Sequence, residues 1–271
     1  MIKYSLIVAT LGRKQELFEM LESIRNSDYE LSEVEVIIVD QNDEKYIKQD
    51  VLNVRDININ YIHSESKGLS LNRNLGLTHA KGEIICFPDD DCKFYTNTLS
   101  IVDDFFELEE VDFCMGRIFD RERKVDVIKR WPKKAKNIGK FNSYFLNSSV
   151  TLFVKRTACV SFDNYLGVGA KFGSCEDADF IYRILELGAV GVYTPEIEIW
   201  HPKPDLRNIS LDKVESYASG FGYFVGKKTD TIKVVLFLLL LTKKTAQFLF
   251  FRNKFVEGYF SAFFRGLFKA K

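Results

Sequence analysis

Apolar and polar positions fall in blocks along the first half of the chain. Tyr4–Ala9 (YSLIVA) is a short apolar run of the kind a buried strand carries. Arg13–Ser27 follows, with Leu17, Met20, Leu21 and Ile24 at the spacing of one helix face. Val34–Val39 (VEVIIV) predicts a second strand ending at Asp40, and Asn58–Ile62 a short third. Ser70–Ala80 predicts a helix with Leu71, Leu75 and Leu77 apolar and Ser70 as its N-cap. Glu83–Phe87 predicts a fourth buried strand running into Pro88-Asp89-Asp90-Asp91. Strands alternating with helices predict an α/β fold around a mostly parallel central sheet flanked by helices.

The pattern loosens in the second half. Val111–Gly116 and Ser149–Val154 predict strands, Glu176–Leu187 a helix stopped by Gly188, and Ala189–Tyr193 another strand. Ile197–Trp200 is also strand-like, and the stretch around Trp131-Pro132 reads as a loop joining two lobes. Ile232–Leu241 is nearly all apolar but falls short of the roughly 20 residues that span a bilayer. From Thr245 onward, Gln247, Lys254, Ser261, Arg265 and Lys269 share one helical face; Phe248, Phe251, Phe255, Tyr259, Phe263 and Leu267 form the opposite one. A cationic face against an aromatic one predicts a helix lying in a membrane interface; packing on the protein itself is the alternative. The expected organisation is a body over residues 1–225 and an amphipathic helical tail over 226–271.

Composition narrows the classes. The 271 residues are 46% hydrophobic and 28% charged, which fits a globular chain and excludes disorder. Thirty-eight Lys and Arg balance 38 Asp and Glu, so the global charge gives no sign of nucleic acid. The balance hides a segregation: residues 227–271 hold ten basic and two acidic side chains, and residues 121–140 nine and two. Two cationic stretches on an acidic body point to an anionic partner such as phospholipid head groups or a pyrophosphate, with plain solvated surface as the alternative. Five Cys at irregular spacing suit neither a disulfide framework nor zinc, and read as small core residues in a reducing compartment. Met1–Lys3 run straight into a strand, so no leader peptide is expected.

Candidate chemistry sits where the pattern breaks. Asp89-Asp90-Asp91 follows an apolar strand directly, at the end where open α/β sheets hold ligands. Adjacent carboxylates repel one another, and a divalent cation resolves the repulsion. Alternation puts Asp89 and Asp91 on one side, able to share a metal; an acidic turn is the alternative. Glu176 and Asp177 open a predicted helix after the glycine-rich Gly167–Gly173. They either complement the helix dipole or supply a general base for an acceptor hydroxyl. Arg73, on the helix before the acidic strand, suits a diphosphate or a surface ion pair. Asp40 suits a nucleobase or ribose, or a turn cap. His201, in Trp200-His201-Pro202, is a candidate third metal ligand, whereas His63 and His79 join no constellation.

In order from about Tyr4 to His201, these segments resemble the family 2 glycosyltransferases of GT-A fold, of the bacterial surface-polysaccharide type. SLIVATLGR resembles their first strand and loop, and VDQND (Val39–Asp43) their acidic second-strand end. GLSLNRNLGLTHAKGEIICFPDDD resembles the segment carrying the family's arginine, A-x-G-E turn and D-x-D motif. LGVGAKFGSCEDADFIYRILELG resembles the acceptor loop and E-D motif, with Arg183 trailing. The resemblance implies a Rossmann-like nucleotide-binding half over about 1–115 and an acceptor-binding half over about 116–225. It implies inverting transfer of one sugar from a UDP-, dTDP- or GDP-linked donor to a hydroxyl of a glycan or lipid-linked acceptor. Asp177 would be the base and Glu176 an acceptor contact; Thr10, Asp40, Arg73, Asp89 and Asp90 would hold the donor; Asp91, Asp89 and His201 would ligate Mn²⁺ or Mg²⁺. No Q-x-x-R-W follows the E-D helix, which implies a single addition rather than processive synthesis. A cytoplasmic protein peripheral on the inner face of the cell membrane, serving capsule or related polysaccharide assembly, is the matching expectation. Two rivals stand beside it. A sugar nucleotidyltransferase would want a glycine-rich loop after the first strand, where residues 9–16 offer one glycine. A catalytically inactive membrane scaffold is the other.

Overall fold

The computed structural model describes residues 1–42, 44–203, 210–251 and 255–270, with backbone alone at 44–45, 247–251 and 255–257. In chain order the first half forms β1 (Tyr4–Thr10), α1 (Gln15–Arg25), β2 (Val34–Asp40), α2 (Glu44–Leu52), β3 (Asn58–His63), α3 (Leu69–His79), β4 (Ile84–Cys86), β5 (Lys93–Phe94) and α4 (Thr98–Leu108). The second half forms β6 (Phe113–Asp120), β7 (Val125–Asp126), β8 (Lys136–Ile138), α5 (Lys140–Leu146), β9 (Leu152–Lys155), α6 (Glu176–Glu186) and β10 (Gly191–Trp200). Three helices close the chain: α7 (Leu211–Gly226), α8 (Thr231–Phe251) and α9 (Phe255–Lys269).

The main sheet runs β3-β2-β1-β4-β9-β6-β10-β5. Its first four strands are parallel, as the alternating pattern predicts. β6 and β10 are parallel to each other, while β9 runs antiparallel between β4 and β6. β1 and β2 are buried along nearly their whole length and carry the apolar runs Leu6–Ala9 and Val36–Val39, with buried Ser5 bonding Glu35 across the pair. α1 buries Leu17, Met20, Leu21 and Ile24, the stripe read from the sequence.

Four local expectations need correction. α3 begins one residue early behind Gly68, whose φ of +132° favours glycine, so Ser70 is not the cap. Ser70 lies inside the first turn and donates Oγ to the Leu166 carbonyl at 2.6 Å. The fully buried residues of α3 are Ser70, Asn72, Arg73 and Gly76, with Leu75 and Leu77 only partly buried: the three polar side chains bond to loops and the site, and Gly76 lets the helix sit against Ile7 and Val39. Ser149–Thr151 is a 3₁₀ turn, not strand, since Ser149 N–H and Thr151 Oγ1 bond across to Asp177 and Gly116. β10 is one strand where two segments were expected, with a register shift between Tyr193 and Glu198 around Pro195.

The fourth correction concerns the end of the chain. A second apolar core joins Ala178 and Tyr182 of α6 to Ala218, Phe221 and Phe224 of α7, Leu236 of α8, and Tyr259, Ala262 and Phe263 of α9. The aromatic face expected to lie open at Tyr259 and Phe263 therefore packs on α7. Gly222 on α7 permits this, because a Cβ there would collide with the Phe263 carbonyl. Exposed apolar side chains lie instead at Val234, Val235, Leu238 and Leu239 of α8 and at Phe264 and Phe268 of α9. The side chains of Gln247, Phe248, Phe251, Lys254 and Phe255 lie outside the described residues. Among those described, no helix is long and apolar enough to cross a membrane.

Candidate active site

β4 ends at Cys86, and the chain turns through Phe87-Pro88 so that the three aspartates stand at the carboxyl end of the parallel strands. They have different surroundings. Asp90 is 5% exposed and faces β1: its Oδ2 accepts Thr10 Oγ1 at 2.8 Å and its Oδ1 accepts Arg13 at 2.6 Å. Burial raises its pKa, and Thr10 and Arg13 oppose that only in part. Arg13 also reaches Asp91 Oδ2 at 2.8 Å. Asp89 and Asp91 turn together toward His201, which lies at the end of β10. His201 Nε2 is 3.6 Å from Asp89 Oδ2 and 3.3 Å from Asp91 Oδ1.

His201 Nδ1 lies 2.8 Å from the Pro202 carbonyl, an acceptor only, so Nδ1 carries a proton. That bond fixes the ring and aims Nε2 at the carboxylates, the arrangement that orients a metal-binding histidine. Ligand atoms of Asp89, Asp91 and His201 lie within 4.8 Å of one another, and Asp91 Oδ1 is buried without a hydrogen bond. Two carboxylates and an imidazole suit a divalent cation, Mn²⁺ more than Mg²⁺ because of the nitrogen. Without a cation, burial pulls the imidazolium pKa down, and the two carboxylates outweigh it and raise it to about 10.

Arg73 joins this cluster to the second carboxylate pair. Its side chain is 1% exposed; Nη2 donates to Asp89 Oδ1 and Ser149 Oγ at 2.9 Å, and Nη1 to Asp177 Oδ1 at 3.3 Å. Asp177 Oδ2 accepts the Ser149 backbone N–H at 2.8 Å. α6 starts behind Cys175, held at φ +68°, and its first two residues are Glu176 and Asp177. Burial first, then the Asp177 charge, pushes the Glu176 carboxyl well above its ordinary range. A cavity of about 280 Å³ opens on the pair, lined also by Tyr144, Asn147, Val168, Gly173 and Tyr217. Gly167, at φ +102°, lies against both Ser70 and Glu176, where a Cβ would come within 2.9 Å of Ser70 Oγ.

The fold thus gathers Arg73, Asp89, Asp91, Glu176, Asp177 and His201 into one site. Thr10 and Asp90 form its floor, bonded to each other. Asp40 is fully buried, its Oδ1 accepting Asn42 N–H at 2.8 Å and its Oδ2 accepting Tyr61 at 2.8 Å. Arg13 and Ser149 also reach the site, and Lys129 bonds the carbonyl of cavity-lining Asn147; none of the three was read from the sequence. Arg13 stands in the SLIVATLGR loop and Lys129 in the basic stretch; Ser149 meets Arg73 through its Oγ and Asp177 through its backbone N–H, and the latter carries no side-chain signal.

The glycosyl transferase family 2 profile matches residues 5–162. The chain is 24% identical over 186 residues to TarS of Staphylococcus aureus, a poly(ribitol-phosphate) beta-N-acetylglucosaminyltransferase, covering 68% of this chain and 32% of TarS. It is 35% identical over 104 residues to the GalNAc(5)-diNAcBac-PP-undecaprenol beta-1,3-glucosyltransferase of Campylobacter jejuni, covering 37% and 33%. The chain thus spans about a third of the length of these curated relatives. Among solved structures, one of S. aureus TarS aligns at TM-score 0.69 and 18% identity over 93% of this chain and 74% of its own. The mannosyltransferase PcManGT of Pyrobaculum calidifontis, solved with GDP-Man and Mn²⁺, aligns at 0.67 and 15% over 99% and 88%. With a GT-A sheet, the acidic cluster at its carboxyl edge and a profile match over more than half its length, the chain belongs to glycosyl transferase family 2.

Proposed function

We propose that the protein transfers one sugar, with inversion, from a nucleotide-sugar to a hydroxyl of a glycan or lipid-linked acceptor in polysaccharide assembly. The observation that carries this is Arg73, whose one guanidinium spans Asp89 of the acidic cluster and Asp177 beside the cavity. The donor diphosphate belongs on the Asp89 side and the acceptor hydroxyl on the Asp177 side. Structures similar in fold hold UDP-GlcNAc, or GDP-Man with Mn²⁺, which supports a nucleotide-sugar donor without choosing its base.

Asp89, Asp91 and His201 would hold the cation. When bound, Mn²⁺ or Mg²⁺ supplies charge neutralisation for the departing diphosphate. Asp177, oriented by Ser149 N–H and Arg73, takes the proton of the acceptor hydroxyl. The acceptor oxygen bonds to the anomeric carbon as the bond to the diphosphate oxygen breaks, and the electron pair leaves with the nucleoside diphosphate. One displacement inverts the anomeric centre. Glu176, favoured in its protonated form, donates a hydrogen bond to the acceptor. Exposed Val234, Val235, Leu238 and Leu239, near Lys243, support a peripheral seat on an anionic cytoplasmic membrane face. Asp91→Ala should abolish metal-dependent donor binding, read by calorimetry with and without Mn²⁺; unchanged affinity would remove Asp91 from the ligand set.

A further inference from the structure

Lys129 comes from the basic stretch but leaves the solvated surface. Ile128 before it adopts φ +66°, a conformation that β-branched residues rarely take, and the chain turns Lys129 inward. Trp131 anchors this turn: it is 4% exposed, donates Nε1 to the Val127 carbonyl at 3.1 Å and stacks on Tyr193. The Lys129 ammonium lies 4.3 Å from the Trp131 ring centre and donates to the Asn147 carbonyl at 2.7 Å. Asn147 lines the cavity that holds Glu176 and Asp177. An ammonium has three N–H donors, and among the described residues Asn147 O is its single hydrogen-bond acceptor. No carboxylate among them forms an ion pair with it, and the Asp177 charge is the one that favours its cationic form. Burial pushes its pKa down to about 8, with Asp177 offsetting part of that.

A half-buried cation with unspent donors, held by the carbonyl of a cavity-lining residue, is a seat for an anion on the acceptor side of Arg73. We propose that Lys129 binds a phosphate group of the acceptor substrate and so presents the acceptor hydroxyl to Asp177. This rests on the glycosyl-transfer reading and names a chemical class for its acceptor, one that carries phosphate near the hydroxyl that is glycosylated.

The test uses glycerol phosphate as probe and glycerol as control, on full-length protein saturated with nucleoside diphosphate and Mn²⁺. The wild type should bind glycerol phosphate and not glycerol. Lys129→Met should lose about tenfold or more of that affinity, the worth of one charge-assisted hydrogen bond, while Lys129→Arg keeps most of it. Nucleoside diphosphate affinity should be the same in all three. Equal glycerol phosphate binding by Lys129→Met overturns the proposal. So does a loss confined to nucleoside diphosphate, which would make Lys129 a contact of the leaving group. Should Lys129→Met not fold, competitive amine labelling of the wild type decides: glycerol phosphate must slow modification of Lys129, and absence of protection overturns the assignment. Failure of the wild type to bind any nucleoside diphosphate would instead bring down the transferase reading.

Discussion

Arg73 is the residue on which both halves of the site depend. Replacing it by Met would leave Asp89 and Asp177 without their shared cation, and breaking such a pair costs about 3 kcal/mol or more. Urea unfolding should show that loss. Asp177→Asn should preserve donor affinity and lower turnover by about a hundredfold or more, the usual contribution of a general base; wild-type turnover would end its assignment. Glu176 gives a pH signature. Its carboxyl pKa is raised in the folded protein above an ordinary 4.5, so the native state holds more protons than the unfolded state as pH rises past that value. Its contribution to stability therefore falls with rising pH over that window, and Glu176→Gln should flatten this part of a melting-temperature profile. The carboxylates of this site were legible in the sequence because strand alternation and a helix start place them by rule. His201, more than a hundred residues from Asp91 in sequence, was legible as a candidate only through its position after a strand-like segment. Ser149 was not legible in its role toward Asp177, since a backbone N–H has no residue preference.

Elements were legible where apolar spacing is strong. β1, β2, α1 and α6 follow their patterns closely. α7 does not announce itself: Gly220, Gly222 and Gly226 lower its helix propensity, and tertiary packing overrides them. Two of them, Gly222 and Gly226, explain why the aromatic stripe of α9 is covered rather than open, since a Cβ at either would meet the α9 backbone at Phe263 or Leu267. Gly222→Ala gains helix propensity of about 1 kcal/mol, yet its methyl has no room against the Phe263 backbone. Overpacking of about 1–3 kcal/mol outweighs the gain, so the variant should unfold at lower urea. A higher midpoint would mean that α7 and α9 do not sit this close.

At the scale of the molecule, cationic surface, apolar stripe and catalytic cleft belong to one chain with no net charge. α6 carries Asp177 at its start and packs through Ala178 and Tyr182 into the core formed with the closing helices. A membrane-seated α8 would therefore hold Asp177 close to the lipid surface. Leu238→Glu with Leu239→Glu should release the protein from anionic vesicles in a flotation assay while leaving its melting temperature nearly unchanged, because both side chains are exposed. Retained flotation would move the contact to the 121–140 stretch. The central claim is transfer from a nucleotide-sugar, and the most direct measurement is nucleoside diphosphate release from UDP-, dTDP- and GDP-sugars with Mn²⁺, with and without a phosphate-bearing glycan acceptor. One nucleotide class should turn over, dependent on metal and acceptor, and Asp177→Asn should abolish it. Turnover indifferent to Asp177, or release of pyrophosphate from a nucleoside triphosphate and sugar phosphate instead, would contradict the account.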